Sequence, residues 1–183
     1  MASFIFREGE VLKNIFTERL ILRGYKNYDY DELKEMWLAY MATHKKIQRQ
    51  DMLLIDSWIE TYSHKEYCWI AEEKKTRCFI GNINVLKMSR KHNNCEVGYA
   101  VKYDKRRQGY ATEMLKAVID YLLNEEGFHV VEASHYSGNP NSGKVMEKAG
   151  MKKEVELRDR RYNFRTGKYE NLVCYCVVSD KYS

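Results

Sequence analysis

Lys102-Tyr103-Asp104-Lys105-Arg106-Arg107-Gln108-Gly109-Tyr110-Ala111-Thr112 is the stretch that decides the fold. Before it, residues 95–102 alternate with period two and read as a strand. After it, Ala111, Met114, Leu115, Val118 and Leu122 recur at helical spacing, and Gly127 lies just past their end. A strand, a basic turn, a glycine and a helix therefore follow one another. A helix N-terminus presents unpaired backbone N–H groups and a partial positive charge, so this order suits a phosphate. Gly109 has a reason to be glycine, because a side chain there would hold a pyrophosphate off those amides. A solvated surface turn whose shape needs glycine accounts for the same residues equally well.

Outward from this turn the pattern is regular. Towards the N-terminus, residues 17–23 read as a strand ending at Gly24. Leu33, Met36, Trp37 and Tyr40 mark a helix over 29–41, and Leu54, Ile55, Trp58 and Ile59 a second over 52–62. Strands follow over 67–71 and 78–86, the latter with Phe79, Ile83 and Val85 on one face. Towards the C-terminus, residues 129–135 form a strand, and Asn139-Pro140 reads as an N-cap with proline at the first helical position. Gly150 closes that short helix. Residues 151–157 and 172–178 are closing strands joined by a basic, aromatic loop with Arg160, Arg161, Tyr162 and Tyr169. The order βααβββαβαββ predicts a single α/β domain over 17–183, with residues 1–16 as an arm holding at most one short strand.

Composition narrows the class. The chain has 183 residues, 44% hydrophobic and 31% charged, which excludes intrinsic disorder and suits one domain. Its longest strongly apolar run, residues 173–178, is far below the roughly 20 residues of a membrane helix. Phe4-Ile5-Phe6 is too short for a signal-peptide core, so the expectation is a cytoplasmic protein without membrane partners. Cysteines at 68, 78, 95, 174 and 176 include no C-x-x-C pair and read as core thiols; the histidines show no ligand spacing, so no metal is expected. A net charge of +5 suits an anionic ligand better than wholesale nucleic-acid binding, since the basic residues lie in one turn without a stacked aromatic series. A free protein of this kind is expected as a monomer or homodimer.

Arg106-Arg107-Gln108-Gly109-Tyr110-Ala111 resembles the Q/R-x-x-G-x-G/A signature of the GNAT superfamily of N-acetyltransferases. Three further segments fall in the family's order. Thr17-Glu18-Arg19-Leu20-Ile21-Leu22-Arg23 is similar to its opening strand, and Glu96-Val97-Gly98-Tyr99 to its E-[IL]-G-Y strand. Asn139-Pro140-Asn141-Ser142 through Glu147-Lys148-Ala149-Gly150-Met151 resembles the N-x-x-S…EK-x-G-F ending of the ribosomal-protein-alanine (RimJ/RimL) branch. The likeness covers about residues 17–178. Gly138 through Lys144 also satisfies the first seven positions of a P-loop, but the eighth is Val145, which has no hydroxyl for magnesium.

The resemblance implies a GNAT fold: a mixed, mostly antiparallel twisted sheet of about seven strands, flanked by about four helices, with a splayed strand pair binding CoA. It implies acetyl-CoA as donor, with no metal. Backbone groups of Tyr99, Ala100 and Val101 would bind pantetheine and the acetyl carbonyl. Amides of Gln108, Gly109, Tyr110, Ala111 and Thr112, aided by Arg106 and Arg107, would hold the pyrophosphate. Asn139 would hydrogen-bond the cofactor. Glu96 is the expected base, acting directly or through water; the alternative is a strand-edge carboxylate paired with a lysine. Ser142 would shuttle a proton to the thiolate or merely contact the cofactor. Many members place a tyrosine acid where this chain has Met146, which leaves the acid open among Ser142, Tyr136 and solvent. The implied activity is acetyl transfer to a primary amine, foremost a protein or peptide N-terminus. Small-amine acetylation and a non-catalytic CoA-binding module are the alternatives.

Overall fold

Alternating side chains make strands and a 3.6-residue apolar period makes helices, and the two periods partition the chain in the expected order. The computed structural model describes residues 12–182 except 44, 64 and 165, so most of the expected arm lies outside the described residues. The elements are β1 (Ile15–Phe16), β2 (Leu20–Gly24), α1 (Tyr30–Ala42), α2 (Arg49–Ser63), β3 (Cys68–Glu73) and β4 (Phe79–Ser89). They continue as β5 (Asn94–Val101), α3 (Tyr110–Asn124), β6 (Val130–Tyr136), α4 (Pro140–Lys148), β7 (Lys152–Asn163) and β8 (Lys168–Val178).

The strands form one sheet in the order β1-β2-β3-β4-β5-β6-β8-β7. All neighbours are antiparallel except β5 and β6, which α3 joins as a crossover helix. Met114, Leu115, Val118 and Leu122 of α3 are fully buried against Leu20, Trp69, Ile83 and Val131 on one sheet face. On the other face, Leu33 and Met36 of α1 and Ile55 and Ile59 of α2 close over Ile70. No helix among the described residues is long and apolar enough to cross a membrane.

Three expectations change. Phe79 does not share a face with Ile83 and Val85: β3 pairs Ala71 with Gly81 and Glu72 with Phe79, leaving Ile80 as an extra residue. That bulge reverses the alternation, so Phe79 packs beneath α1 and α2. The segment expected as a loop over 158–170 is the end of a long hairpin, its pairing resuming after a bulge at Arg161↔Glu170 and Tyr162↔Tyr169. Tyr162 stacks edge-on against Phe164 and Tyr169 there, at 5.3 and 5.4 Å between ring centres. The thiols also divide: Cys68, Cys95 and Cys176 are buried and Cys174 half-buried, whereas Cys78 is exposed on the turn entering β4.

The start of α1 is fixed by a buried ionic cluster. Arg23 forks onto both oxygens of Asp29 at 2.7 Å and donates through Nε to Glu72 at 2.6 Å. Burial works to lower the Arg23 pKa, but the bonds to Asp29 and Glu72 outweigh it and the value rises above the ordinary one. Replacing the arginine leaves the buried Asp29 carboxylate without its cation, while Glu72 keeps Arg77 at 2.6 Å. Arg23→Met is therefore expected to lower unfolding free energy by about 3–5 kcal/mol. Denaturant titration checks this, and a loss below about 1 kcal/mol would show that the cluster contributes little.

Candidate active site

The parting of β5 from β6 creates the site. Their pairing covers Asn94–Val97 with Val130–Ala133 and then stops. Beyond it, Gly98 through Val101 stay bonded only to β4, while Ser134 through Tyr136 stay bonded to β8. One backbone edge of β5 therefore faces a gap.

A groove of about 1060 Å³ runs through that gap. Tyr99, Ala100 and Val101 form its β5 wall; Arg106, Arg107 and Gly109 form the turn; Tyr110, Ala111 and Thr112 open α3 beside it. Asn139 and Ser142 stand on the α4 side, joined by Lys144 and Lys148, two cations that the family resemblance did not assign to the cofactor. Gln108 alone among the expected cofactor residues does not border the groove. It braces the turn instead, its side chain donating to the Asp104 carbonyl and its own carbonyl accepting from Arg19.

Gly109 is the N-cap of α3 and is left-handed at φ +86°. The first α3 backbone bond runs from Glu113 N–H to Gly109 C=O at 3.0 Å. The amides of Tyr110, Ala111 and Thr112 thus have no backbone acceptor among the described residues and are free for an anion. Arg106 donates through Nε to the Val101 carbonyl at 3.1 Å and lies near the rings of Tyr40 and Tyr103. It ties the turn to β5, leaving Arg107 as the more open guanidinium.

Asn139 occupies the N-cap of α4, with Pro140 first in the helix, but its side chain makes no capping bond. It donates through Nδ2 to Ser142 Oγ at 3.0 Å. Ser142 Oγ donates to nothing among the described residues, so its proton is free to point into the groove. The Ser142 carbonyl accepts from the Tyr99 hydroxyl at 3.1 Å, and burial pushes the Tyr99 phenol above its ordinary pKa. Gly143 lets α4 lie close against β6 and β8, since a Cβ there would sit 2.8 Å from His135 Nε2 and 3.0 Å from the Tyr175 hydroxyl.

A second cavity, about 310 Å³, opens from the same gap towards α1 and α2. Trp37 and Tyr40 of α1, Trp58 of α2, and Asn82 and Asn84 of β4 line it, with Ser134 and Tyr136 from β6. Trp37, Tyr99, Tyr136, Asn139 and Ser142 border both spaces, so groove and cavity meet at the splayed strands. Asn82 Nδ2 donates to Asn84 Oδ1 at 3.2 Å, while the buried Asn82 Oδ1 has no partner among the described residues. An unmet buried acceptor costs about 1–3 kcal/mol, which a ligand donor would recover. Trp37 and Trp58 are legible in the sequence only as parts of apolar helix stripes. Asn82 and Asn84 do carry a sequence signal: two amides alternating with Ile83 and Val85 on a strand both of whose faces are buried.

Glu96 borders neither space. Lys87 stands opposite Glu96 and Val85 opposite Val97, so Leu86 is the extra residue of a bulge. Its side chain covers Gly98, where a Cβ would come within 2.7 Å of it. Glu96 lies 3.7 Å from Lys87 Nζ and 3.8 Å from Arg161. Ser134, which no sequence motif marks, links it to the cavity by donating to Glu96 Oε1 at 2.9 Å. Glu132 stands beside it, and burial, then Glu96 and Glu154, push the Glu132 carboxyl above its ordinary pKa. Among the described residues no group of His, Cys, Asp and Glu is placed to hold a metal ion.

Residues 19–152 match the family model described as an acetyltransferase (GNAT) domain, and the chain belongs to that family of acetyl-CoA-dependent N-acetyltransferases. It is 26% identical over 172 residues to the uncharacterized N-acetyltransferase YoaA of Bacillus subtilis (strain 168), covering 90% of this chain and 96% of the relative. The fold is shared with the ribosomal-protein-S5-alanine acetyltransferase of Vibrio fischeri, at TM-score 0.73 and 17% identity over 93% of this chain and 99% of the other. It is shared equally with the spermidine N-acetyltransferase of Vibrio cholerae solved with CoA and spermine, at TM-score 0.72 and 16% identity over 90% and 98%.

Proposed function

We propose that the chain acetylates the N-terminal α-amine of a peptide or protein, in the manner of the RimJ/RimL branch. The observation that carries this reading is the meeting of a cation-rimmed groove with an aromatic, amide-lined cavity at the parted strands. Acetyl-CoA, when bound, supplies the activated acetyl thioester. The free amides of Tyr110, Ala111 and Thr112, with Arg107, suit its pyrophosphate, and the open β5 edge at Tyr99 to Val101 suits its amide-bearing arm. Asn139 fixes Ser142 by donating to its Oγ, which leaves the hydroxyl proton available to the departing sulfur. On the cavity side, Ser134 Oγ can accept a proton from the acceptor amine as it passes its own to Glu96. Water in the cavity serves the same relay.

Amine chemistry favours this acceptor. An α-amine has a pKa near 7.7–8.0 and a lysine-like amine near 10.4, so neutralising them at pH 7 costs about 1–1.4 and about 4.6 kcal/mol respectively. A base that works through a serine, without an assigned tyrosine acid, suits the easier amine. Peptide α-amines are expected to show higher kcat/KM than polyamines or aminoglycosides, rising with pH and levelling near about pH 8 as the amine loses its proton. Thiol release across pH 6 to 9, with mass spectrometry of the product, measures this. A polyamine or aminoglycoside preference persisting at pH 6 would overturn the acceptor. Tight CoA binding without acceptor-dependent CoA release would instead mark a binding module.

A further inference from the structure

We propose that the acceptor is an α-amino amide with an uncharged apolar or aromatic side chain, and that acceptors carrying a second cation are rejected. This rests on the acetyl-transfer reading and adds the chemistry of what is acetylated.

Size comes first. About 310 Å³ is at the small end of ligand cavities, enough for one residue and not for a folded-back chain. The walls supply the apolar character: Leu33, Trp37, Trp58 and Ile59 enclose the space from α1 and α2. No Asp or Glu is among the described residues lining it. Glu96 does not line it and is engaged by Ser134, and Glu170 lines the groove instead, bonded to Asn163 and Thr166. A second ammonium would therefore lose its water without gaining a counter-ion. Nor do the rings form a cage of open faces for it. Trp37 meets Tyr40 at 90° and Trp58 at 73°, so edges cover faces.

The amide requirement comes from β4. Asn82 is 5% exposed and its Oδ1 has no donor among the described residues, while Asn84 Oδ1 is already taken by Asn82 Nδ2. Asn84 Nδ2 makes no hydrogen bond among the described residues. The pair thus offers the cavity one acceptor and one donor, which a peptide group complements with its N–H and C=O. A bare amine or an ester lacks the N–H and leaves Asn82 Oδ1 unmet.

Thiol release by the full chain with matched probes tests this: phenylalaninamide, leucinamide, a Phe-Ala-Ala tripeptide, phenylalanine methyl ester, phenethylamine, spermidine and kanamycin. The amides are expected to exceed phenethylamine, the ester and both polycations by roughly 10²-fold or more in kcat/KM. A tripeptide equal to the amides assigns a peptide N-terminus, and amides alone assign a free amino-acid derivative; both support the proposal. Asn82→Ala should narrow the amide-over-phenethylamine ratio below about tenfold, whereas a purely structural role would lower all acceptors together. Trp58→Ala should penalise phenylalaninamide more than glycinamide, independently of whether the Asn82 variant folds. Spermidine or kanamycin outrunning the amides overturns the acceptor class and leaves acetyl transfer standing. Acetyl-CoA binding with no turnover of any probe overturns the acetyl-transfer reading, and this proposal falls with it.

Discussion

Gly109→Val is expected to abolish measurable acetyl-CoA binding while the chain still folds. Gly109 is left-handed, a conformation that costs an L-residue about 1–2 kcal/mol and a β-branched one more. Any Cβ there would also approach Arg19 Nη2 at 3.3 Å. That arginine cannot simply withdraw, because it holds Glu113 through Nε at 2.7 Å and the Gln108 carbonyl through Nη1 at 2.9 Å. Relief must come from the turn itself, which would swing the first α3 amides away from the groove. Each charge-assisted hydrogen bond to the pyrophosphate is worth about 1.5–3 kcal/mol, so breaking two weakens Kd by at least two decades. Gly109 is exposed and the buried α3 stripe begins at Tyr110, so the core should survive. Arg106→Ala should cost less, about 1–3 kcal/mol, because that guanidinium is committed to the Val101 carbonyl. Calorimetry on the folded variants separates the cases, and unchanged affinity in Gly109→Val would refute the assignment of the turn.

What can be read from the sequence follows from how local each feature is. The turn at 102–112 is legible because charge, glycine and helix start lie within one short segment. The helices over 30–42 and 110–124 declare themselves by period. The groove's far wall is visible only through Asn139 and Ser142, and their mutual bond replaces the expected side-chain cap. Bulges are not legible, since one extra residue leaves no mark on composition yet reverses a face. The bulge at Ile80 moves Phe79 to the other face, and the one at Leu86 leaves Lys87 opposite Glu96. The aromatic hairpin over 158–170 lacks a period because its bases and aromatics alternate around a further bulge. Trp37 and Trp58 cannot be told from core, because a cavity wall and a packed core use the same residues.

Glu96→Gln is expected to lower kcat by roughly 10²–10⁴-fold with little change in acetyl-CoA affinity. Gln keeps an oxygen for the Ser134 hydroxyl, so geometry survives while the ability to take the proton is lost. Lys87 and Arg161 lie 3.7 and 3.8 Å away and would favour a purely structural carboxylate, the bland alternative. The two roles part on Ser134. A relay requires that Ser134→Ala also lower kcat strongly, and that the double variant be little worse than the poorer single one, because the groups act as a unit. A structural carboxylate predicts instead a drop in unfolding midpoint for Glu96→Gln with kcat nearly intact, and independent, additive effects in the double variant. Stopped assays at saturating acetyl-CoA, with unfolding titrations on the same samples, give both readouts. A kcat loss below about threefold in Glu96→Gln would remove the base from this carboxylate and pass deprotonation to solvent at the mouth of the cavity.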